Sequence, residues 1–316
     1  MDLNFNAGQG DNVLGASPLC LGGNVFGWTA DRDESFAVID AYVASGGNLI
    51  DTSDSYSDWE DGHVGGESET IIGEWLASRG RPEGLMIATK VGQRQGHQGL
   101  HPDNIRDAVT GSLKRLGVDA IDLYYAHEDD QDTPLVDALE AFDALVREGL
   151  VRNLGASNYS AERLDEAVGI QKSLNLAPFV AFQPEYNLVV RDYETNLAGV
   201  AERHGLSVFT YFSLASGFLT GKYRIDRSGN GSQRAEDVQD YLGDRGERIL
   251  TALDAVAART GAQPATVALA WLLTKPTVTS VIASARIPGQ LPALLASADV
   301  NLTEADVAEL DEASAS

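Results

Sequence analysis

Residues 85–90 read LMIATK and residues 122–127 read DLYYAH, with the stretch Asn104–Leu116 between them. The two short runs are apolar, have the length of strands, and each ends in a polar residue. In the stretch between them, apolar residues recur at helical spacing. This succession predicts the alternation of strand and helix that is typical of α/β proteins.

The same alternation continues along most of the chain. Strands are predicted at Pro18–Phe26, Asn48–Ser53, Leu85–Lys90, Asp122–His127, Val151–Ser157, Phe179–Gln183, Ser207–Leu214 and Thr279–Ser284. Helices are predicted at Glu34–Ala44, Glu67–Ser78, Asn104–Leu116, Leu135–Arg147, Ala161–Leu174, Glu194–His204, Arg248–Ala258 and Pro264–Leu273. Many of these helices are followed by a glycine, which favours a left-handed helix end.

Eight strands alternating with helices fit either a closed (β/α)8 TIM barrel or an open, doubly wound sheet. The strand count and the length of 316 residues favour the barrel, because such barrels reach this size as one domain. The dinucleotide-binding pattern GxGxxG does not follow an early strand, so the main sign of a doubly wound sheet is missing. Residues 1–316 are therefore predicted to form a single-domain barrel.

Two segments stand outside this alternation. Asn4–Val13 is a candidate hairpin at the bottom of the barrel. Ala215–Asp240 follows the seventh strand, is rich in glycine and charged residues, and shows no regular element. Loops of this length are commonly lids over a site or disordered segments, and this one is predicted to cover a cofactor.

The chain is strongly acidic, with 47 acidic and 23 basic residues and a net charge of -24. This charge argues against binding to nucleic acid or to an anionic membrane surface, because both would be repelled. The chain contains one cysteine, Cys20, so neither an internal disulfide nor a cysteine zinc cluster is expected. We expect a cytoplasmic protein, since the N-terminal residues lack the charge and the apolar run of a signal peptide.

Polar residues stand at the ends of the predicted strands, and in a (β/α)8 barrel these ends carry the active site. Strands two, three and four end near Asp51, Lys90 and His127. Each residue alone has an ordinary explanation: a turn aspartate, a solvated lysine, a structural histidine. Lysine is scarce in this chain, however, and three such endings in succession indicate one common site.

Carbonyl reduction gives these residues a shared role. The reaction needs a hydride donor and an acid that protonates the developing alkoxide. Tyr56 can be that acid, although its ordinary pKa of about 10 is too high for efficient catalysis. Lys90 is predicted to lower this pKa, Asp51 to orient Lys90, and His127 to donate a hydrogen bond to the carbonyl oxygen. This chemistry requires no metal.

Seven segments together resemble the strand-end motifs of the aldo-keto reductase family, in order and over nearly the whole chain. They are DTSDSY (51–56), ATK (88–90), YYAH (124–127), GASNYS (155–160), FQPEYN (182–187), YFSLASGFLTGKY (211–223) and VIASARIPGQL (281–291). The resemblance implies an NADPH-dependent reductase of aldehydes or ketones with the tetrad Asp51, Tyr56, Lys90 and His127, Tyr56 being the proton donor.

The same resemblance implies the residues that hold NADP(H). Ser157, Asn158 and Gln183 would bind the nicotinamide carboxamide, and Tyr211 would stack on its ring. Leu214, Gly217 and Lys222 match the segment at the pyrophosphate, whereas Ser284, Arg286 and Gln290 match the adenosine end with its 2′-phosphate. The chain departs from the family pattern at Ser213, Ala283–Ser284 and Leu294, all in the segments implied to hold the cofactor.

Two other functions fit parts of this pattern. A reductase-fold protein resembling the potassium-channel β subunits would regulate a partner and could keep the tetrad. A barrel aldolase would use Lys90 in a Schiff base, but Tyr56 and the cofactor-like segments argue against it. The substrate is expected to be a small carbonyl compound. Phe26, Trp28 and Trp59 are predicted at the rim of the site, where they would form an apolar or sugar-stacking pocket or simply pack together.

Overall fold

A computed structural model of the protein describes residue 12, residues 14–224 and residues 238–315. Eight parallel strands form a closed barrel in sequence order, which confirms the predicted (β/α)8 class. The strands are β1 (Leu19–Gly22), β2 (Leu49–Asp51), β3 (Met86–Val91), β4 (Ile121–Ala126), β5 (Val151–Ser157), β6 (Phe179–Gln183), β7 (Ser207–Thr210) and β8 (Val278–Ala283).

Helices follow the strands in the predicted alternation. They are α1 (Arg32–Ala44), α2 (Glu67–Arg79), α3 (Pro102–Leu116), α4 (Leu135–Arg147), α5 (Ala161–Leu174), α6 (Leu197–His204), α7 (Asp244–Thr260), α8 (Pro264–Leu273), α9 (Leu291–Leu295) and α10 (Glu304–Ser314). Local chemistry sets several of their ends. The Asp31 side chain caps α1 and exchanges hydrogen bonds with Glu34, and Gly117 ends α3 in the left-handed conformation.

The chain groups into two units. One comprises Cys20–Pro184 and Ile282–Leu291, and the other comprises Met1–Leu19, Glu185–Val281 and Pro292–Ser316. The first unit contains all four residues of the predicted tetrad. The prediction that residues 1–316 form a single domain stays a prediction.

Strand register in the first unit brings the candidate residues to one edge of the sheet. Asp51 pairs with Ala88 on β3, two residues before Lys90. Lys90 pairs with Tyr125 on β4, two residues before His127. Because parallel strands end at a common edge, Asp51, Lys90 and His127 lie together.

Strand ends differ most from the sequence-based boundaries where the chain turns sharply. The first strand ends at Gly22 instead of Phe26, since the Phe26 N–H donates back to Gly23 O in a turn. The seventh ends at Thr210 instead of Leu214, because Phe212 has a φ of 48°, which no strand continues.

Two helices near the C-terminus, α9 and α10, were not among the predicted elements. In the part of the chain that the structure describes, no helix is long and apolar enough to cross a membrane. The candidate hairpin at Asn4–Val13 lies outside the described residues apart from Asn12. Residues 225–237 of the predicted covering loop lie outside them as well.

Candidate active site

The turn after β2 places Tyr56 beside Asp51. The Thr52 N–H donates to Ala88 O at 2.8 Å, which carries the backbone on along β3. The Thr52 hydroxyl donates to Ser68 Oγ at 2.8 Å, and Ser68 donates in turn to Gly23 O. These buried contacts fix the turn, so the Tyr56 hydroxyl can reach back to Asp51 Oδ2 at 2.9 Å.

Lys90 is the centre of the site, and its side chain is wholly buried. Its Nζ donates to Asp51 Oδ2 at 2.8 Å, to Thr52 O at 2.8 Å and to Tyr56 Oη at 2.7 Å. An ammonium group has three hydrogens, and all three are used. A buried charge is tolerated only with such complete pairing, so the surroundings of Lys90 are built to hold this ammonium in one place.

Asp51 accepts hydrogen bonds on both carboxylate oxygens. Oδ2 receives Lys90 and Tyr56, whereas Oδ1 receives the Gln183 amide at 2.9 Å. The carboxylate is almost wholly buried. Asp51 therefore holds both Lys90 and Tyr56 through the same carboxylate oxygen.

The pKa of Tyr56 differs from the expectation that Lys90 lowers it. Burial, followed by the charge of Asp51, raises the pKa of Tyr56 well above its ordinary value. Asp51 Oδ2 lies 2.9 Å from Tyr56 Oη, and Lys90 Nζ lies 2.7 Å from the same oxygen. The carboxylate therefore opposes the ammonium, and Lys90 alone does not set the pKa of the phenol. Tyr56 consequently carries its proton at neutral pH. Burial lowers the pKa of Lys90, although Asp51 acts in the opposite direction.

His127 follows β4 and faces the phenol. The ring centroids of His127 and Tyr56 are 6.2 Å apart at an interplanar angle of 71°. Burial, and then the charge of Lys90, lowers the pKa of His127 well below its ordinary value. The imidazole is therefore neutral at physiological pH. Its Nδ1 lies 3.2 Å from Ser53 Oγ.

Comparison with known proteins agrees with this geometry. The model described as the Aldo/keto reductase family matches residues 18–315. The chain belongs to the aldo/keto reductase family. "Protein tas" of Escherichia coli (strain K12) is 32% identical, over 94% of this chain and 94% of its own. "Aldo-keto reductase str7" of Strobilurus tenacellus is 32% identical, over 90% and 82%.

A third relative carries a different kind of name. "Probable voltage-gated potassium channel subunit beta" of Oryza sativa subsp. japonica is 31% identical, over 92% of this chain and 90% of its own. Family membership thus supports an oxidoreductase. Relatives of similar identity are named either as an aldo-keto reductase or as a potassium-channel subunit.

Three residues that the family resemblance assigns to the nicotinamide carboxamide are joined to the tetrad in this structure. Gln183 donates to Asp51, and the Ser157 hydroxyl donates to Gln183 O at 2.8 Å. The Asn158 amide donates to His127 O at 2.9 Å, from a left-handed backbone with a φ of 55°. The end of β5, the residue after it and the end of β6 therefore supply amide and hydroxyl groups that connect to Asp51 and His127.

In the other unit, the segment after β7 has an unusual backbone. Phe212, Ala215, Ser216 and Gly217 all have positive φ, from 47° to 89°. Successive backbone N–H groups in turns that include left-handed residues can converge on an anion. The exposed ammonium group of Lys222 lies close to this turn, because its Nζ is 3.3 Å from the position that a Cβ atom on Gly217 would occupy.

Other residues from the same predicted set lie nearby in sequence. Tyr211 is half-buried and pairs with Glu185 in an isolated parallel bridge, and Leu214 is half-buried just before the 3-10 helix that starts at Ala215. Ser213, which departs from the family pattern, is buried and donates to Thr210 O at 2.8 Å. Its hydroxyl thus holds the turn at this departure from the family pattern.

The segment after β8 combines one exposed cation with a small polar network. The Ser284 hydroxyl donates to Asn24 Oδ1 at 2.5 Å, and the Arg286 N–H donates to Gln290 Oε1 at 2.7 Å. The side chain of Arg286 is exposed. Among residues 14–224 and 238–315, none forms a salt bridge with its guanidinium, so this group has capacity for an incoming anion.

The predicted substrate residues separate into two kinds. Phe26 is fully buried and offers no surface. Trp28 and Trp59 meet edge to face at 5.5 Å, and the Trp59 ring lies 6.4 Å from the Tyr56 ring. Trp59 is 48% exposed. An aromatic pair therefore flanks the Tyr56 ring.

Sequence reasoning missed the residues within the turn itself. Ser53, Asp54 and Ser55 are buried, and Ser53 contacts His127. The signal was present in the density of short polar residues in DTSDSY, between an apolar strand and Tyr56. Within the described residues, His, Cys, Asp and Glu side chains form no group of three that could hold a metal ion.

Proposed function

We propose that the protein reduces an aldehyde or ketone to an alcohol with NADPH. The observation that carries this proposal is the buried contact of Lys90 Nζ with Tyr56 Oη at 2.7 Å and Asp51 Oδ2 at 2.8 Å. A phenol held between an ammonium and a carboxylate can release and regain a proton without moving its neighbours.

Tyr56 is the proposed proton donor. Its raised pKa keeps the hydroxyl protonated until a stronger base develops beside it, and an alkoxide is such a base. The O–H that donates to Asp51 can rotate about its C–O bond toward the substrate oxygen. Lys90 then stabilises the phenolate that remains, because its Nζ is already in contact with Oη.

His127 positions the carbonyl in this proposal. Because the imidazole is neutral, one ring nitrogen carries a hydrogen and can donate to the carbonyl oxygen. The nearness of the His127 and Tyr56 rings lets both donors approach the same oxygen. A preorganised donor of this kind stabilises the charge that develops on that oxygen.

NADPH, when bound, would supply the hydride. The chain has donors suited to each of its parts: amide groups at Asn158 and Gln183 for the carboxamide, and Lys222 beside the left-handed turn for the pyrophosphate. Ser284, Arg286 and Gln290 would take the adenosine end, with Arg286 on the 2′-phosphate. Guanidinium suits phosphate because it is planar and permanently charged.

The aromatic pair points to a substrate with an apolar or ring-bearing body. Trp28 and Trp59 offer faces and edges on which such a body can pack. Small carbonyl compounds with an aromatic or sugar ring are therefore proposed as the first substrates to test. Residues 215–240, which follow β7 and are rich in glycine and charged residues, are proposed to cover the bound cofactor.

Two alternatives remain distinguishable. Similarity to a relative named for a potassium-channel β subunit favours a regulatory role as the second candidate. Schiff-base chemistry at Lys90 is opposed by the structure, because the amine is wholly buried and all three hydrogens are engaged.

A turnover screen with NADPH over aldehydes, ketones and keto-sugars tests the proposed function. Cofactor oxidation is followed by absorbance, and the Tyr56→Phe variant is measured in parallel as the background. We expect substrate-dependent oxidation by the wild type and almost none by the variant. Tight NADPH binding without turnover of any substrate would instead support the regulatory candidate.

A further inference from the structure

The role proposed for His127 depends on which ring nitrogen carries the hydrogen. A neutral imidazole donates from one nitrogen and accepts at the other. With Nδ1 already in contact with Ser53, the hydrogen must sit on Nε2 for His127 to donate to a carbonyl oxygen. The partner of Nδ1 therefore decides whether His127 can do so.

That partner is Ser53. Its Oγ lies 3.2 Å from His127 Nδ1, and the side chain is fully buried, so water does not replace it readily. A serine hydroxyl can either donate to Nδ1 or accept from it. The neighbours of Ser53 decide between the two.

Ser55 occupies the acceptor side of Ser53. The Ser55 N–H donates to Ser53 Oγ at 3.2 Å, and the two hydroxyl oxygens are 3.0 Å apart. If the Ser55 hydroxyl also donates, both lone pairs of Ser53 Oγ are filled. Ser53 then has one hydrogen to give and no capacity to accept from His127.

With the Ser55 hydroxyl as donor, two acceptors remain for that hydrogen. His127 Nδ1 lies at 3.2 Å, whereas Asp54 Oδ1 lies at 3.5 Å, the limit of a hydrogen bond. Burial and the charge of Glu69 raise the pKa of Asp54 to about 7, which weakens its carboxyl as an acceptor at and below neutral pH. The shorter contact with His127 is therefore favoured.

We propose that Ser53 is a positioning residue that donates its hydroxyl hydrogen to His127 Nδ1 and thereby holds the imidazole hydrogen on Nε2. The proposal rests on the proposed carbonyl reduction only for its consequence, since the state of the ring exists without substrate. Ser53 touches neither substrate nor cofactor in this role. It acts through His127 alone.

The alternative arrangement reverses these hydrogen bonds. His127 Nδ1–H would donate to Ser53, the Ser53 hydroxyl would donate to Asp54, and the Ser55 hydroxyl would turn elsewhere. Nε2 would then be an acceptor and could not stabilise a developing oxyanion. One measurement separates the two arrangements.

Long-range ¹H–¹⁵N correlation spectra of ¹⁵N-labelled protein show which ring nitrogen is protonated. The chain has five histidines, and His127→Gln assigns the signals of His127. At neutral pH we expect the wild-type hydrogen on Nε2, and in Ser53→Ala a mixture of both forms. A wild-type hydrogen on Nδ1, or spectra that Ser53→Ala leaves unchanged, would overturn the proposal.

Kinetics add a second readout. Ser53→Ala should lower kcat/KM for the carbonyl substrate by about 2- to 10-fold, the size of one neutral hydrogen bond, with NADPH affinity unchanged. Ser280→Ala is the matched control, because Ser280 is also buried and its Oγ has no hydrogen-bond partner among the described residues. An equal loss in both variants would contradict a role through His127.

The two proposals can fail separately. The spectra require neither cofactor nor substrate, so they decide the role of Ser53 even if no carbonyl compound is turned over. If Ser53→Ala does not fold, the wild-type spectrum alone still decides. Conversely, loss of turnover in Tyr56→Phe supports carbonyl reduction whatever the spectra show.

Discussion

Lys90 and Arg286 are both cations at strand ends, yet their surroundings are opposite. Lys90 is wholly buried and all its hydrogens are bound by Asp51, Thr52 and Tyr56. Arg286 is exposed, and among the described residues its guanidinium has no salt-bridge partner. A saturated cation acts on its fixed neighbours, whereas an unsaturated one can bind an arriving anion. The proposed function therefore assigns the chemistry to the site around Lys90 and cofactor selection to Arg286.

This division predicts the largest effect at Tyr56. Tyr56→Phe should lower kcat/KM by about 10²–10⁴-fold, the usual worth of general acid catalysis, while NADPH still binds. Tyr124→Phe is the matched control, because Tyr124 is buried on β4 and its hydroxyl has no hydrogen-bond partner within the part of the chain that the structure describes. Steady-state kinetics on both variants measure this, and near-wild-type activity in Tyr56→Phe would show that the proton comes from elsewhere.

Replacing Lys90 should also lower the free energy of unfolding, whereas replacing Arg286 should not. Lys90→Met leaves Asp51 buried without its cation, and breaking a buried ion pair costs about 3–5 kcal/mol of unfolding free energy. The double variant Asp51→Asn with Lys90→Met removes both charges and should recover part of this loss. Urea unfolding measures all three proteins. A fully stable Lys90→Met would mean that the buried pair contributes nothing to the fold.

The buried site can also be tested by the pH dependence of stability, because Asp54 is buried in the turn after Asp51. The pKa of Asp54 is raised from 3.8 to about 7 in the folded state, so the folded protein binds an extra proton between these values. That contribution to stability is present below pH 3.8 and is lost as the pH rises to about 7. Relative to Asp54→Asn, the wild type should therefore lose on the order of 4 kcal/mol of unfolding free energy across this window.

Unfolding of wild type and Asp54→Asn at several pH values measures this difference. Asp107→Asn, which changes an exposed carboxyl on α3, is the control and should leave the wild-type slope intact. Parallel stability curves for wild type and Asp54→Asn would show that the carboxyl of Asp54 does not titrate in this range.

Arg286 is expected to give the smallest of these four effects, confined to cofactor binding. Arg286→Ala should weaken NADPH by about 10- to 150-fold, the worth of a charge-assisted hydrogen bond of about 1.5–3 kcal/mol, and leave NADH nearly unchanged. Arg248→Ala, another exposed arginine, is the control. Fluorescence titration with both nucleotides measures the affinities. Equal losses for NADPH and NADH would show that Arg286 does not read the 2′-phosphate.

The barrel and the meeting of Asp51, Lys90 and His127 could be predicted from the sequence, because strand periodicity and parallel register together fix where side chains at strand ends lie. Turn geometry could not. The positive φ of Phe212 and the turn at Gly23–Phe26 shortened two strands, and neither leaves a periodic signal. The raised pKa of Tyr56 was also hidden, since it depends on burial and on Asp51 as much as on Lys90.

The most direct test measures two quantities on two variants. For Tyr56→Phe and Arg286→Ala, NADPH Kd is measured by titration and kcat at saturating NADPH and substrate. The division of roles predicts that Tyr56→Phe loses kcat by about 10²–10⁴-fold and keeps its Kd, whereas Arg286→Ala loses affinity and keeps kcat. A variant in which kcat and Kd fail together would contradict the separation of the buried catalytic group from the exposed cofactor-binding cation.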